Sequence, residues 1–355
     1  CEFRDNTAAR FGGGLMVNVG ATTIFERCRF TNNTAGTSND VEGWGGGLHV
    51  NDSSPTFVSC TIEGNHAKYA AGGISVTGHF SAPESVVLLR DTRIANNVVI
   101  QARPDLPAAE GGGMHIEDNV HAFLDRCRVT GNSSNTGGGL NSFRGHYVIT
   151  DSIIGGNHAV PVAPEVGGFG GGIYAQSVNT SEPTRQAATI QLQHSVVRGN
   201  TGNVGAGIFA QGDFFGLSSN RATVDIIDSL IEGNVASGRG GGMFIDRTDA
   251  TVTRSLILSN EVTAPTNSWG GGIAVVASSS ATLTDVSLTG NTVHELGGAL
   301  YVDQASTISV DGSRLMNNTA GSGNGIGGGA IAVGQAFGPN GGPSTGSIRQ
   351  SVLAN

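Results

Sequence analysis

The chain has 355 residues, of which only 13% are charged and 57 are glycine, and its formal net charge is −9. That balance disfavours a basic nucleic-acid surface, and Lys68 is the only lysine. Glycine at this level is hostile to helix interiors, no apolar run reaches the length of a membrane span, and no charged leader with an apolar core opens the chain.

Two signatures alternate from the N-terminus onward. The first is glycine-rich and ends in an aliphatic residue: Gly12-Gly13-Gly14-Leu15, Gly45-Gly46-Gly47-Leu48, Gly72-Gly73-Ile74, Gly111-Gly112-Gly113-Met114, Gly137-Gly138-Gly139-Leu140 and Gly170-Gly171-Gly172-Ile173. It returns at Gly205-Ala206-Gly207-Ile208, Gly240-Gly241-Gly242-Met243, Gly270-Gly271-Gly272-Ile273, Gly297-Gly298-Ala299-Leu300 and Gly328-Gly329-Ala330-Ile331. The second is a lone asparagine: Asn6, Asn33, Asn65, Asn97, Asn132, Asn157, Asn200, Asn234, Asn260, Asn291, Asn318 and Asn355. From the last position before the aliphatic residue to the next asparagine is 18 or 19 residues in seven of eleven units, so each unit has a fixed circumference.

Within a unit the apolar pattern has period two, as in Leu48-His49-Val50 and Val224-Asp225-Ile226, which reads as short strands. One unit cannot bury its own apolar face, but units stacked in parallel sheets can. The expected fold is all-β: a right-handed parallel β-helix of about eleven coils, on the order of 50 Å long. Residues 1–355 form a single domain on this reading. Cys1 to Asn6 and the terminal Asn355 fall inside the repeat phrase, so we expect a fragment of a longer protein, cut mid-coil at both ends.

The glycines precede strands, where positive φ or close approach between coils is needed. The asparagines suit an αL corner or a stacked amide ladder. Cys1, Cys28, Cys60 and Cys127 all lie five residues before a ladder asparagine, in a column continued by Thr92, Ser152, Ser195, Ser229, Ser255 and Ser313. This reads as small inward residues filling a tight core. Cys28 would lie within reach of Cys1 and Cys60, although parallel side-chain vectors are awkward for a disulfide. No pair has zinc-ligand spacing, and neither a metal nor another cofactor is expected.

The phrases Phe3-Arg4-Asp5-Asn6 and Phe30-Thr31-Asn32-Asn33, with Gly297-Gly298-Ala299-Leu300 and Gly328-Gly329-Ala330-Ile331, resemble the F-x-x-N and G-G-A-[I/L] repeats of the polymorphic outer membrane proteins of chlamydiae. The resemblance covers the whole chain, but most units here carry Gly-Gly-Gly and replace Phe with Ile, Val or Leu. It implies a surface-exposed β-helical passenger of adhesin type, extracellular or on a bacterial outer surface.

In a solenoid, function appears as a column that breaks the repeat rule. The residue after each aliphatic position should point outward: Met16, His49, Ser75, His115, Asn141, Tyr174, Phe209, Phe244, Ala274, Tyr301 and Ala332. Tyr174, Phe209, Phe244 and Tyr301 are candidate contacts for sugar rings or a neighbouring subunit if exposed; alternatively, inserted loops fold over them. A second column runs through Arg29, Thr61, Arg93 and Arg128, then Ile153, Val196, Leu230 and Leu256, then Ser287 and Arg314. Facing solvent, its apolar middle would be a surface for self-association or lateral packing with other subunits; turned inward by a bend, it would be core. Trp44, Phe169 and Trp269 end long corners and would plug loops against the rod.

A polysaccharide lyase or hydrolase of the pectate-lyase-like fold is the rival reading, since it shares this architecture. It would need clustered carboxylates. Glu117 with Asp118, Asp246 with Arg247, and Asp303 lie on separated coils, and no catalytic residue is assigned. His49 and His115 share a column with Ser75 between them, while the other histidines are scattered. An ice-binding array would need Thr-x-Thr on consecutive coils, and Thr22-Thr23, Thr223 and Thr251-Val252-Thr253 do not read as one.

Overall fold

The computed structural model describes residues 1–37, 43–100, 109–163, 166–177, 187–213, 220–321, 327–334 and 343–354. Its chain winds through four parallel sheets, one of 12 strands and three of 11, each strand pairing with its counterpart one coil away. One turn of the coil runs Arg128–Thr130, Ser133–Ser134, Leu140–Phe143 and His146–Thr150, and these strands belong to sheets 1 to 4 in that order. Within the strands burial alternates, as in Val120–Asp125, and the inward side chains stack as Ile62, Ile94, Val129, Ile154, Val197, Ile231 and Ile257, all at 0% exposure. This is the parallel β-helix expected from the repeat. A small antiparallel pair, Pro161–Ala163 with Val166–Gly167, decorates one corner.

The asparagine column is an amide ladder. Asn132 Nδ2 donates to Asn157 Oδ1 at 3.0 Å and to the carbonyl of Ile94 at 3.1 Å, while its own Oδ1 accepts the backbone and side-chain N–H groups of Asn97. The same connections run from Asn33 to Asn318, each amide buried. Every polar atom of the ladder side chains inside this run is satisfied, which removes the cost of burying them. The αL corner expected at the asparagine sits one residue earlier, at Asp5, Asn32, Asn96, Ser259 and Asn317 (φ 52–55°) or at a glycine.

The glycine signature is the other half of this contact. Gly45 opens its turn at φ +66°, where Gly47 lies so close to the ladder that a Cβ would stand 3.1 Å from the Asn65 amide. A Cβ on the middle glycine of such a unit would strike backbone of the next coil, as at Gly112, 2.6 Å from Ser133 N. The repeated glycines therefore set the close packing of one coil against the next.

The Cys/Ser/Thr column is inward, buried from Cys28 onward and also hydrogen-bonded. Ser195 Oγ accepts the N–H of Ser152 at 3.1 Å and donates to the carbonyl of Gln193 at 2.8 Å. The cysteines are free thiols, and Cys60 and Cys127 each donate to the carbonyl two residues back at 3.4 Å. Burial pushes the Cys127 thiol up to about 12, so it is an inert space-filler.

Candidate functional site

The strands that follow the glycine signature form sheet 3, among them Leu48–Asn51, Ile74–Thr77, Met114–Glu117, Leu140–Phe143, Ile173–Gln176 and Ile208–Gln211. Their second side chains leave the main core, as the alternation requires. From His49 to Tyr301 they do not reach solvent, whereas Met16 at the N-terminal end is 43% exposed. The residue just before each glycine signature forms its own ladder of bridges, Phe11 to Trp44, Ala70, Glu110, Thr136, Phe169 and Val204, then Arg239 to Trp269 and Leu296, and this ladder borders the outer face of sheet 3.

Of the two arrangements the sequence left open for the aromatic column, the structure has the covered one. Tyr174, Phe209, Phe244 and Tyr301 are 2–6% exposed and form a second apolar cluster with Trp269, against which Phe169, Val204 and Leu296 pack. Phe169 meets Phe209 edge-on at 5.4 Å, Phe209 meets Phe244 at 5.2 Å, and Trp269 stacks on Tyr301 at 5.3 Å. Corner side chains thus cover these rings, which offer no open face to a sugar or a subunit; Trp44, Phe169 and Trp269 act as lids on the sheet.

Toward the N-terminal end the same layer turns polar. His49, Ser75 and His115 stand in register on three consecutive coils, all buried, and His115 Nδ1 lies 3.1 Å from Asn141 Oδ1. Glu110 Oε2 is 3.3 Å from His115 Nδ1, and Glu117 Oε2 is 3.8 Å from its Nε2, a charge contact too long for a hydrogen bond. Trp44 caps the group edge-on, 6.5 Å from His49 and 5.8 Å from His115, with Tyr69 4.9 Å from Trp44. Among the described residues, His49 Nδ1, Ser75 Oγ and His115 Nε2 have no hydrogen-bond partner. The shared column of His49 and His115 was legible in the sequence, but Glu110 was missed because it lies in a corner of variable length, just ahead of Gly111.

The charges of this group are coupled. Burial pushes the Glu110 carboxyl up. Burial also opposes charge on His115 and Glu117, but their mutual attraction outweighs it, raising the imidazole and lowering the carboxyl. Burial and the charge of His115 bring His49 down from 6.5 to about 4. As pH falls from 6.5 toward 4, unfolded chains take up a proton at His49 that folded chains refuse, so stability is lost. The full difference is about 3 kcal/mol. His115 works in the opposite sense, its contribution being present below 6.5 and lost as pH rises through its raised value. We expect His49→Gln to flatten the fall in urea midpoint between pH 6.5 and 4.5; an unchanged slope would refute the assignment.

The other carboxylates do not converge. Asp118 pairs with Arg144, Asp246 with Arg247 at 3.0 Å, and Asp303 accepts the Tyr301 hydroxyl at 2.7 Å. Among the described residues, no three His, Cys, Asp or Glu side chains are placed to hold a metal ion. On sheet 4, Thr223 pairs with Asp249 and Thr251 with Asp225; Thr251 and Thr253 align with Thr282 and Thr284, but the next coil carries Ser309 and Asp311.

On sheet 1 the apolar column faces outward. Ile153, Val196, Leu230 and Leu256 pair in register along the rod, with Arg128 before them and Ser287 and Arg314 after. Leu256 is 45% exposed and the other three are half-buried beside one another, whereas their neighbours Ile154, Val197, Ile231 and Ile257 fill the core. No bend turns them in. At the N-terminal end of this stripe, Gly155 leaves a gap that opens a shallow groove of about 580 Å³ between Arg128 and Arg198.

Among the described residues, no helix is long and apolar enough to cross a membrane. No solved structure matches the chain. It is similar to the metabotropic glutamate receptor-like protein R of Dictyostelium discoideum, 25% identical over 90% of this chain and 22% of that protein. The chain thus spans about a fifth of that relative's length. The family model described as "right handed beta helix region" matches residues 1–224, more than half of the chain. With four parallel sheets of 11 or 12 strands stacked in register, this match means that the chain belongs to the right-handed β-helix family.

Proposed function

We propose that the chain is a non-catalytic, extracellular or cell-surface β-helical rod, a structural or adhesive segment of passenger, stalk or fibre type. The repeats resemble those of polymorphic outer membrane proteins, and the receptor-like relative is consistent with a surface location. Family membership alone does not decide between a rod and an enzyme, because pectate-lyase-like enzymes share the fold.

The observation that carries the rod reading is the outward stripe Ile153-Val196-Leu230-Leu256 between Arg128 and Arg314. Four aliphatic side chains in line on a polar surface form a lateral contact for a second rod or another surface subunit. Leu230→Asp places a charge in the middle of this stripe without touching the core. We expect sedimentation to show self-association weakened at least tenfold and electron microscopy to show ordered bundles replaced by single rods. Wild-type rods that stay dispersed at high concentration would remove lateral packing from the proposal. Cleavage of acidic polysaccharides by the purified chain would overturn its non-catalytic part.

A further inference from the structure

We propose that the outward face of sheet 1 is the contact for a second copy of this chain, packed antiparallel and related by a twofold axis that crosses the rod between the Val196 and Leu230 coils. The inference rests on the lateral-packing reading of the Ile153-Val196-Leu230-Leu256 stripe and adds the identity, direction and register of the partner.

Three parallel columns make up this face. The first is the stripe itself, with Arg128 one coil before Ile153 and Ser287 one coil after Leu256. Two residues further along each strand, the second column reads Thr130, Gly155, Arg198, Glu232, Leu258 and Thr289, in register on the same coils. Two residues ahead of the stripe, at the corner entering sheet 1, stand Arg126, Asp151, His194, Asp228, Arg254 and Asp285, all with positive φ. This third column is a ladder of alternating basic and acidic groups. Arg126 binds Asp91 at 2.8 Å, His194 lies 3.9 Å from Asp151 and 3.7 Å from Asp228, and Arg254 reaches Asp228 at 2.7 Å. Apart from the half-buried Asp228, these corner residues are exposed.

The three columns complement their own reversal about one axis. Rotation by half a turn about a line in the face, midway between the Val196 and Leu230 coils, sets Val196 against the second copy's Leu230 and Ile153 against its Leu256. The same rotation opposes Arg198 to the second copy's Glu232, and Leu258 to its Gly155, whose missing side chain leaves the groove beside Arg198. In the corner column it opposes His194 to Asp228, Asp151 to Arg254 and Arg126 to Asp285, each a basic group against an acidic one. Moving the axis by half a coil, onto His194, would oppose Asp151 to Asp228 and Arg126 to Arg254. Moving it by a whole coil keeps the charges matched but sets Ile153 against Arg314 in one direction, or Leu256 against Arg93 in the other. Of these axes, only the first matches apolar surface, charge and shape together, as an isologous contact requires. Six coils at about 4.8 Å and five residues at about 3.3 Å give roughly 500 Å² per copy. The total of about 1,000 Å² is near the lower bound for a specific interface, so the pairing is reversible.

Arg198→Glu and Glu232→Arg each turn both Arg198–Glu232 contacts of the pair repulsive, and either variant alone should self-associate at least tenfold more weakly in sedimentation equilibrium. Mixed in equal amounts, the two restore both contacts across the interface. The mixture should regain wild-type association, which no effect within one chain can produce. Register is read by cross-linking in a Cys1→Ser background, where the three remaining cysteines are buried. Ile153→Cys mixed with Leu256→Cys should be joined by a short bismaleimide into a heterodimer. Each alone should stay unlinked, because its two copies stand three coils, about 14 Å, apart. Circular dichroism checks that the variants fold, and cross-linking decides the matter if the charge variants do not. Wild-type chains that stay monomeric remove lateral packing and this inference together. Wild-type association without rescue in the mixture, or with Ile153→Cys or Leu256→Cys linking to itself, overturns the antiparallel register and leaves lateral packing standing.

Discussion

Replacing Asn157 with Leu should lower stability by about 5 kcal/mol or more, although the two side chains are similar in size. Asn157 Oδ1 accepts the backbone N–H and the side-chain Nδ2 of Asn132, both at 3.0 Å, and Asn157 Nδ2 donates to the Val129 carbonyl and to Asn200 Oδ1, also at 3.0 Å. Leucine removes four buried hydrogen bonds to the two flanking coils at once, leaving the Asn132 N–H without its acceptor and the Asn132 amide and Asn200 Oδ1 each one bond short, and buried losses of this kind cost about 1–3 kcal/mol each. Neighbouring coils hold one another only through their shared interface, so weakening a central rung also threatens cooperativity. Urea unfolding followed by circular dichroism should show a much lower midpoint, and splitting into two transitions would locate the break between the halves of the rod. A loss below about 1 kcal/mol would mean that water or a backbone shift replaces the ladder bonds, and that the amides are spacers and not supports.

Much of this was legible in the sequence because the repeat is physical before it is statistical. The glycines and asparagines recur together since a Cβ on Gly47 would press on the Asn65 amide, so neither column can drift without the other. Period two put Ile153, Val196, Leu230 and Leu256 outside the core unless a bend turned them in, and only the straight in-register stacking of sheet 1 decides for the outward direction. Period two also placed Tyr174, Phe209 and Phe244 outside the main core, but it is silent about what lies over a sheet. The covering residues, Phe169, Val204 and Trp269, and likewise Glu110 in the polar half, sit in corners whose length varies from coil to coil. Their alignment exists only once the strands are in register, as the bridges from Glu110 to Thr136 and from Thr136 to Phe169 make clear. The αL residue falls before the ladder asparagine because the amide must point inward to stack, leaving the preceding position to make the turn.

Gly138→Ala should be nearly as damaging as the loss of Asn157, and the comparison with Gly156→Ala separates close approach from backbone strain. A Cβ on Gly138 would lie 2.6 Å from Gly171 O and 2.6 Å from the His158 carbonyl carbon, both backbone atoms of the next coil. Neither can swing away as a side chain would, so the coils must part and the flanking strand pairs must lengthen. We expect a cost of about 4 kcal/mol, at the upper end for overpacking. Gly156 is the converse: its φ is +61°, but nothing lies within 4 Å of a Cβ placed there. Alanine at that corner should cost about 1 kcal/mol from the left-handed backbone alone, as Asn32 and Asn96 in the equivalent place already suggest. The natural Ala206, at the position equivalent to Gly138, is accommodated where the ladder between Thr201–Val204 and Val235–Arg239 shifts register. Urea midpoints of the two variants decide the matter. Equal losses would mean that positive φ governs the glycine signature, whereas a gap of about 3 kcal/mol assigns it to the spacing between coils.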